Sequence, residues 1–188
     1  MEPWIVAVIV VGIILFLLLV IVGWCISTKN KFRVENETIN QAEADIDVTL
    51  TKRYDLLTKL LASTKGYMKH ESDTLESVVS LRKPANNASV AEKSAFESQM
   101  QAGFDKINVV VEQYPQLKAD SVIIDLQRST ANIENDLQAA RRLYNSKVTK
   151  YNQSIIVFPN SIVAGNKFLK RDLFEATAVK REDIKFDF

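Results

Sequence analysis

The side chains that most often carry chemistry are scarce in this sequence, which has one histidine, His70, and one cysteine, Cys25. A nucleophile needs its base and an orienting group within hydrogen-bond reach. Cys25 lies in an apolar run, and His70 has only Glu71 beside it. Ser-His-Asp and Cys-His catalysis therefore have little to work with, and a Cys/His zinc site of the usual ligand spacing is excluded. Glu43 and Asp47, four apart, fall on one helix face and could share a metal, as could Glu71 with a residue across a bundle. Helical di-metal sites use Glu-x-x-His pairs, a spacing absent here, so the plainer reading is a solvated acidic face. His70 likewise reads as a partly exposed structural histidine rather than a titrating switch. The glycines at 12, 23, 66, 103 and 165 are too scattered to cradle a phosphate. The expectation is no catalytic, cofactor-binding or metal-ligating residue and no enzymatic activity.

Charge narrows the partners. Lys+Arg 24 stands against Asp+Glu 23, and nucleic-acid binding by counterion release usually shows as a strong basic excess, so no nucleic acid is expected. Adjacent basic pairs occur at Lys52-Arg53, Arg82-Lys83, Arg141-Arg142, Lys170-Arg171 and Lys180-Arg181. None extends into a run, and each reads as solvating a helix face.

Those residues must be positioned by something, and the first element is a membrane segment. The uncharged stretch from Trp4 to Ile26 spans roughly 34 Å as a helix, enough for the ~30 Å hydrocarbon core. Trp4 and Trp24 fall near its two ends, where indoles favour the headgroup layers. A signal peptide would need a basic start and a shorter core, so no cleavage is expected. Cys25, preceded by the bulky Trp24, reads as a plain apolar residue. Lys29, Lys31 and Arg33 follow the span and no basic residue precedes it. The positive-inside bias thus places the N-terminus outside a bacterial cell membrane and the rest in the cytoplasm, with the three cations where anionic headgroups would meet them.

Beyond the anchor, residues 1–27, a helical bundle is expected over 28–160. Ile39, Ala42, Ile46, Leu50, Leu57, Leu60, Thr64, Met68, Leu75 and Val78 mark one helical stripe over about 33–82, with Gly66 a tolerable interruption. Ser89 and Glu92 form a capping box that starts a second helix, which stops at Tyr114-Pro115. Asp120 is the expected N-cap of a third, which carries Ile133 and Leu137 inward and ends at Phe158-Pro159. Short connections favour antiparallel neighbours. The fold class is therefore all-α: a single transmembrane helix, then an up-and-down bundle of three long helices. Residues 161–188 form an aromatic tail with Phe168, Phe174, Phe186 and Phe188, too aromatic for a disordered segment and expected to pack on the bundle or on a neighbouring subunit. Within it, 160–174 suggests a short fourth helix and 184–188 alternates like a strand.

At this point the chain resembles the LemA family of bacterial membrane proteins. The resemblance is carried by Ile46-Asp47-Val48, Lys52-Arg53-Tyr54-Asp55-Leu56, Lys65-Gly66-Tyr67 and His70-Glu71. It continues through Tyr114-Pro115-Gln116-Leu117-Lys118-Ala119, Leu126-Gln127, Ile133-Glu134-Asn135, Ala140-Arg141-Arg142, Tyr144-Asn145, Tyr151-Asn152 and Phe158-Pro159. It covers roughly residues 36–160, with the aromatic tail more loosely, and implies an N-terminal anchor, a cytosolic helical bundle and no established catalytic activity. The sequence departs from the family pattern at Glu43, where an aromatic is common, and at Thr58-Lys59, where Pro-Asn is frequent. Without that proline the first helix is expected to be straighter.

A helix over 33–82 would reach about 75 Å, twice its neighbour over 89–113, leaving apolar stripe without an internal partner. Such a surface marks an interface. The expected function is a membrane-anchored scaffold that self-associates, with an extracytoplasmic ligand sensor as the alternative.

Overall fold

The computed structural model describes residues 2–67, 78–85 and 88–174. Among these there is no strand, and the elements are α1 (Pro3–Thr64), α2 (Val90–Gln113), α3 (Pro115–Lys118), α4 (Ser121–Ile156) and α5 (Asn160–Ala164). The all-α class stands. His70, Glu71, Phe186, Phe188 and the strand expected over 184–188 lie outside the described residues.

α1 is one helix of 62 residues, running without a break through residue 27, where the sequence reading set a boundary. No proline follows Pro3 in it, and the helix passes Thr58-Lys59 without interruption. In its N-terminal part no residue from Pro3 to Ser27 is buried, and the mean hydropathy reaches 3.7 over the most apolar window. Exposed aliphatic surface of this length is a candidate membrane anchor.

The described residues pack as two compact units, one made of 2–40 with 147–171 and the other of those within 41–146 together with 172–174. In the first unit Phe32, fully buried, meets Phe168 edge-on with ring centroids 5.0 Å apart. Ile39, Val148, Tyr151, Ile155 and Ala164 complete an apolar core. The short fourth helix is shorter than expected over 160–174, because it ends at Ala164. Gly165 follows at φ +47°, a left-handed conformation that glycine adopts without a Cβ clash and that stops a helix.

In the second unit the buried stripe of α1 is Ala42, Ile46, Leu50, Arg53, Leu57, Leu60 and Thr64, spaced by threes and fours. The helix expected to reach residue 82 stops at Thr64. Its hydroxyl donates back to the carbonyls of Leu60 and Leu61, and Lys65-Gly66-Tyr67 form a turn closed by the Tyr67 N–H on Thr64 O. Gly66, read as an interruption within the helix, marks its end, since glycine loses more backbone entropy in a helix than any other residue.

This turn changes the topology. From Val78, against Gly103 and Leu57, to Leu81, whose carbonyl accepts from the Tyr54 hydroxyl, and on to 83–85 near Asp47, the chain runs back along α1. α2 then lies parallel to α1 rather than antiparallel: Lys93 pairs with Glu43 and Asp47, Arg53 with Glu97 and Gln101, and Leu57 meets Gly103. α4 is antiparallel to α2, as Glu97–Arg141 and Asn108–Gln127 show. The approach at Gly103 is close: a Cβ there would sit 3.2 Å from both Leu57 Cδ2 and Val78 Cγ2, so these side chains would have to give by a few tenths of an ångström.

The caps follow the sequence. Ser89 Oγ accepts from the Glu92 N–H while Glu92 returns a carboxylate to the Ser89 N–H, and Asp120 Oδ1 accepts from Val122 N at 2.8 Å. Pro115 both ends α2 and opens α3, where its missing N–H costs nothing. Leu137 is fully buried as expected, but Ile133 is only half-buried, because its turn of α4 carries Glu134 toward Arg53.

Candidate functional site: a buried network of charge

The core of the second unit contains charged side chains that the sequence reading placed on solvated faces. Arg53, on α1, is 2% exposed. Its guanidinium lies 2.9 Å from Glu134 Oε2 on α4 and 3.6 Å from Glu97 Oε1 on α2, and it donates to Gln101 Oε1. Glu97 also takes an ion pair from Arg141 on α4. One glutamate thus joins two arginines across three helices.

Helix periodicity explains the convergence. Lys93, Glu97 and Gln101 recur every four residues on one face of α2, and Glu134 and Arg141 are two turns apart on α4. Each guanidinium also faces an aromatic ring, Arg53 over Phe104 and Arg141 over Phe174, both at 5.6 Å to the centroid. A planar, weakly hydrated cation suits such a site. Nε of both arginines nevertheless has no hydrogen-bond partner among the described residues. Burial pushes the Glu97 carboxyl above its ordinary pKa, against the opposing pull of Arg141 and Arg53 and with the help of Glu134.

One layer away, Lys93 is 1% exposed and its ammonium lies 2.8 Å from Glu43 Oε1 and 2.8 Å from Asp47 Oδ1. This corrects the reading of Glu43 and Asp47 as a solvated face. The two carboxylates do converge, but the cation between them is a lysine rather than a metal. Desolvation lowers the Lys93 pKa and the bonds from Asp47 and Glu43 raise it, with the net shift upward. Among the described residues no group of three His, Cys, Asp or Glu side chains is placed to hold a metal ion. Cys25 is half-buried on α1 with a free thiol.

A cavity of about 250 Å³ is lined by Leu60, Phe104, Asn108, Gln127 and Thr130. The amide of Asn145 meanwhile brackets Phe174, donating to its carbonyl and accepting its N–H, both at 2.9 Å, and the Tyr144 hydroxyl donates to Asp172 O. In the first unit Asn152 treats Arg171 the same way, both bonds at 2.9 Å. The signal for both was the repeated Tyr-Asn pair, at 144–145 and 151–152.

Comparison with known proteins decides the relationship. The sequence model of the LemA family matches residues 42–188. The chain belongs to the LemA family. It is similar to Protein LemA of Metamycoplasma hominis, 28% identical over 162 residues, covering 85% of this chain and 74% of that protein. Several of the segments that carried the LemA resemblance supply the buried network and its surroundings: Arg53, Glu134 and Arg141 in the ion pairs, Asn145 and Asn152 in the brackets. Glu43, where the resemblance implied an aromatic, is one of the two carboxylates that Lys93 neutralises.

Proposed function

We propose that this LemA-family chain is a membrane-anchored scaffold. α1 crosses a bacterial cell membrane with its N-terminus outside, and the packed helices present a preformed surface to protein partners in the cytoplasm, further copies of this chain among them. The observation that carries the reading is that one unbroken helix has two kinds of surface. It is bare and apolar from Trp4 to Ile26 and buried against other helices from Phe32 to Thr64. Lys29, Lys31 and Arg33 support the cytoplasmic placement. Glu97 and Glu134 are engaged by arginine and Glu43 and Asp47 by lysine, which favours binding over acid–base catalysis, since a general acid or base must be free to exchange its proton.

Single-cysteine chains in a Cys25→Ser background test the placement. A membrane-impermeant maleimide applied to intact cells is expected to label Glu2→Cys and to spare Arg128→Cys, which is exposed on α4. Labelling at Arg128→Cys instead puts the helices outside and moves the ligand-sensor alternative ahead.

A further inference from the structure

Apolar surface remains uncovered in the first unit beyond α1's own span. Ile156 and Val157 are each 55% exposed, Phe158 76% and Ile162 71%, in a stretch of seven residues at the end of α4 and the start of α5. A contiguous patch of this kind on a folded unit marks a contact. Its place on the unit is fixed from both sides in sequence. Ser154 Oγ donates to Glu35 Oε2 at 2.6 Å, and Phe168 packs on Phe32. The intervening chain therefore leaves and rejoins α1 at residues 32–35. Those residues lie about 9 to 14 Å along the helix from Ile26, the last of the uncharged stretch. Thr28, about 3 Å from that end, is already 94% covered at 6% exposure, and 147–171 is the other chain of this unit.

Charge points to the same partner. The segment 147–171 contains Lys147, Lys150, Lys167, Lys170 and Arg171 and no acidic residue. On α1, Lys29, Lys31 and Arg33 are exposed. Against them stand Glu35, bonded to Ser154, and Glu37, one turn farther from the span than Arg33. Exposed aliphatic and aromatic side chains bordered by cations, at the level where a helix leaves the hydrocarbon, match the boundary between acyl chains and anionic headgroups.

We propose that this unit makes a second, shallow membrane contact, with Val157, Phe158 and Ile162 seated in the headgroup boundary of the bilayer that α1 crosses. The proposal rests on the reading of α1 as a spanning helix. It adds a lipid-binding surface on chain more than a hundred residues removed in sequence from the anchor.

The test uses the full-length protein in vesicles of phosphatidylcholine and phosphatidylglycerol, with nitroxide labels at single cysteines in the Cys25→Ser background. Collision with oxygen reports lipid, and collision with a water-soluble nickel chelate reports solvent. The oxygen-to-nickel ratio at Phe158→Cys and Ile162→Cys is expected to exceed that at Arg128→Cys several-fold. Equal ratios overturn the proposal, and low access to both reagents also overturns it by placing protein over the patch. A label at Phe16→Cys separates the two readings. Lipid-like at Phe16 and water-like at Phe158 removes the second contact alone, whereas water-like at both removes the span as well.

Discussion

The cores of the two units are built from different materials. The first closes on Phe32, Phe168, Ile39 and Tyr151 and keeps its polar contacts, Ser154 with Glu35 and Asn152 with Arg171, toward the edge. The second buries Arg53, Lys93, Glu97 and Arg141 among its aliphatic side chains. An apolar core rewards area and tolerates small changes of register. Buried ion pairs add little net stability against apolar replacements, because desolvation offsets most of the attraction, but a displaced one is severely penalised. The second unit therefore specifies which turn of each helix faces which, and the first mainly excludes water.

Removing one member from each core tests this. Glu97→Gln is expected to lower the unfolding free energy by about 3–5 kcal/mol, because it strips Arg141 of its carboxylate partner inside the core. Concerted replacement of Arg53, Glu97, Glu134 and Arg141 by apolar residues is expected to return most of it, read from urea unfolding of the full-length protein in detergent. Phe32→Ala is expected to cost about 3–5 kcal/mol in the first unit by leaving a cavity, and removing its partner ring as well should not restore it. Rescue in both units, or in neither, erases the distinction between the cores.

On α4, Leu137→Ala is expected to cost about 2–4 kcal/mol and Ile133→Ala distinctly less, since Ile133 is half-buried. Equal losses would mean that the Glu134 turn is packed as tightly as the Leu137 turn. The smallest effect is expected at Lys93. The folded chain holds its proton more tightly than the unfolded chain, so its ion pairs contribute fully below the ordinary lysine value of 10.5 and are lost as pH rises through the raised one. Lys93→Met should flatten that alkaline loss in a series of urea midpoints. An unchanged alkaline slope assigns it to other groups.

Much of the architecture was legible in the sequence because it rests on local rules. The Ser89–Glu92 box, the Asp120 cap, the stop at Tyr114-Pro115 and the stripe from Ile39 to Thr64 all depend on residues within a few positions of one another. The stop at Thr64 was not legible, since a lone Gly66 is compatible with a helix interior, and the parallel course of α2 follows from that stop. With α1 ending there, the stripe from Ile39 to Thr64 is buried inside the chain, so the expected length mismatch no longer argues for an exposed interface. The charge network was hidden for a different reason. Arg53 and Arg141 look like the solvated halves of Lys52-Arg53 and Arg141-Arg142, and only long-range packing shows that Glu97 lies between them.

The two asparagine brackets have a consequence for which sequences the C-terminal chain can accept. A primary amide has the donor and acceptor arrangement of a peptide unit, so Asn145 and Asn152 each pair with a main chain as a neighbouring strand would. Such pairing is blind to the side chain at the bracketed position. The residues between, Asp172 and Leu173, are exposed, and the Tyr144 hydroxyl reads a carbonyl rather than a side chain there. Asp172 and Leu173 can therefore drift in composition while the path stays fixed, whereas Phe174 is held by its buried ring as well, against Tyr144 and Arg141. An Asp in place of either asparagine would keep the shape, lose the donor and set a carboxylate beside the carbonyl it once served.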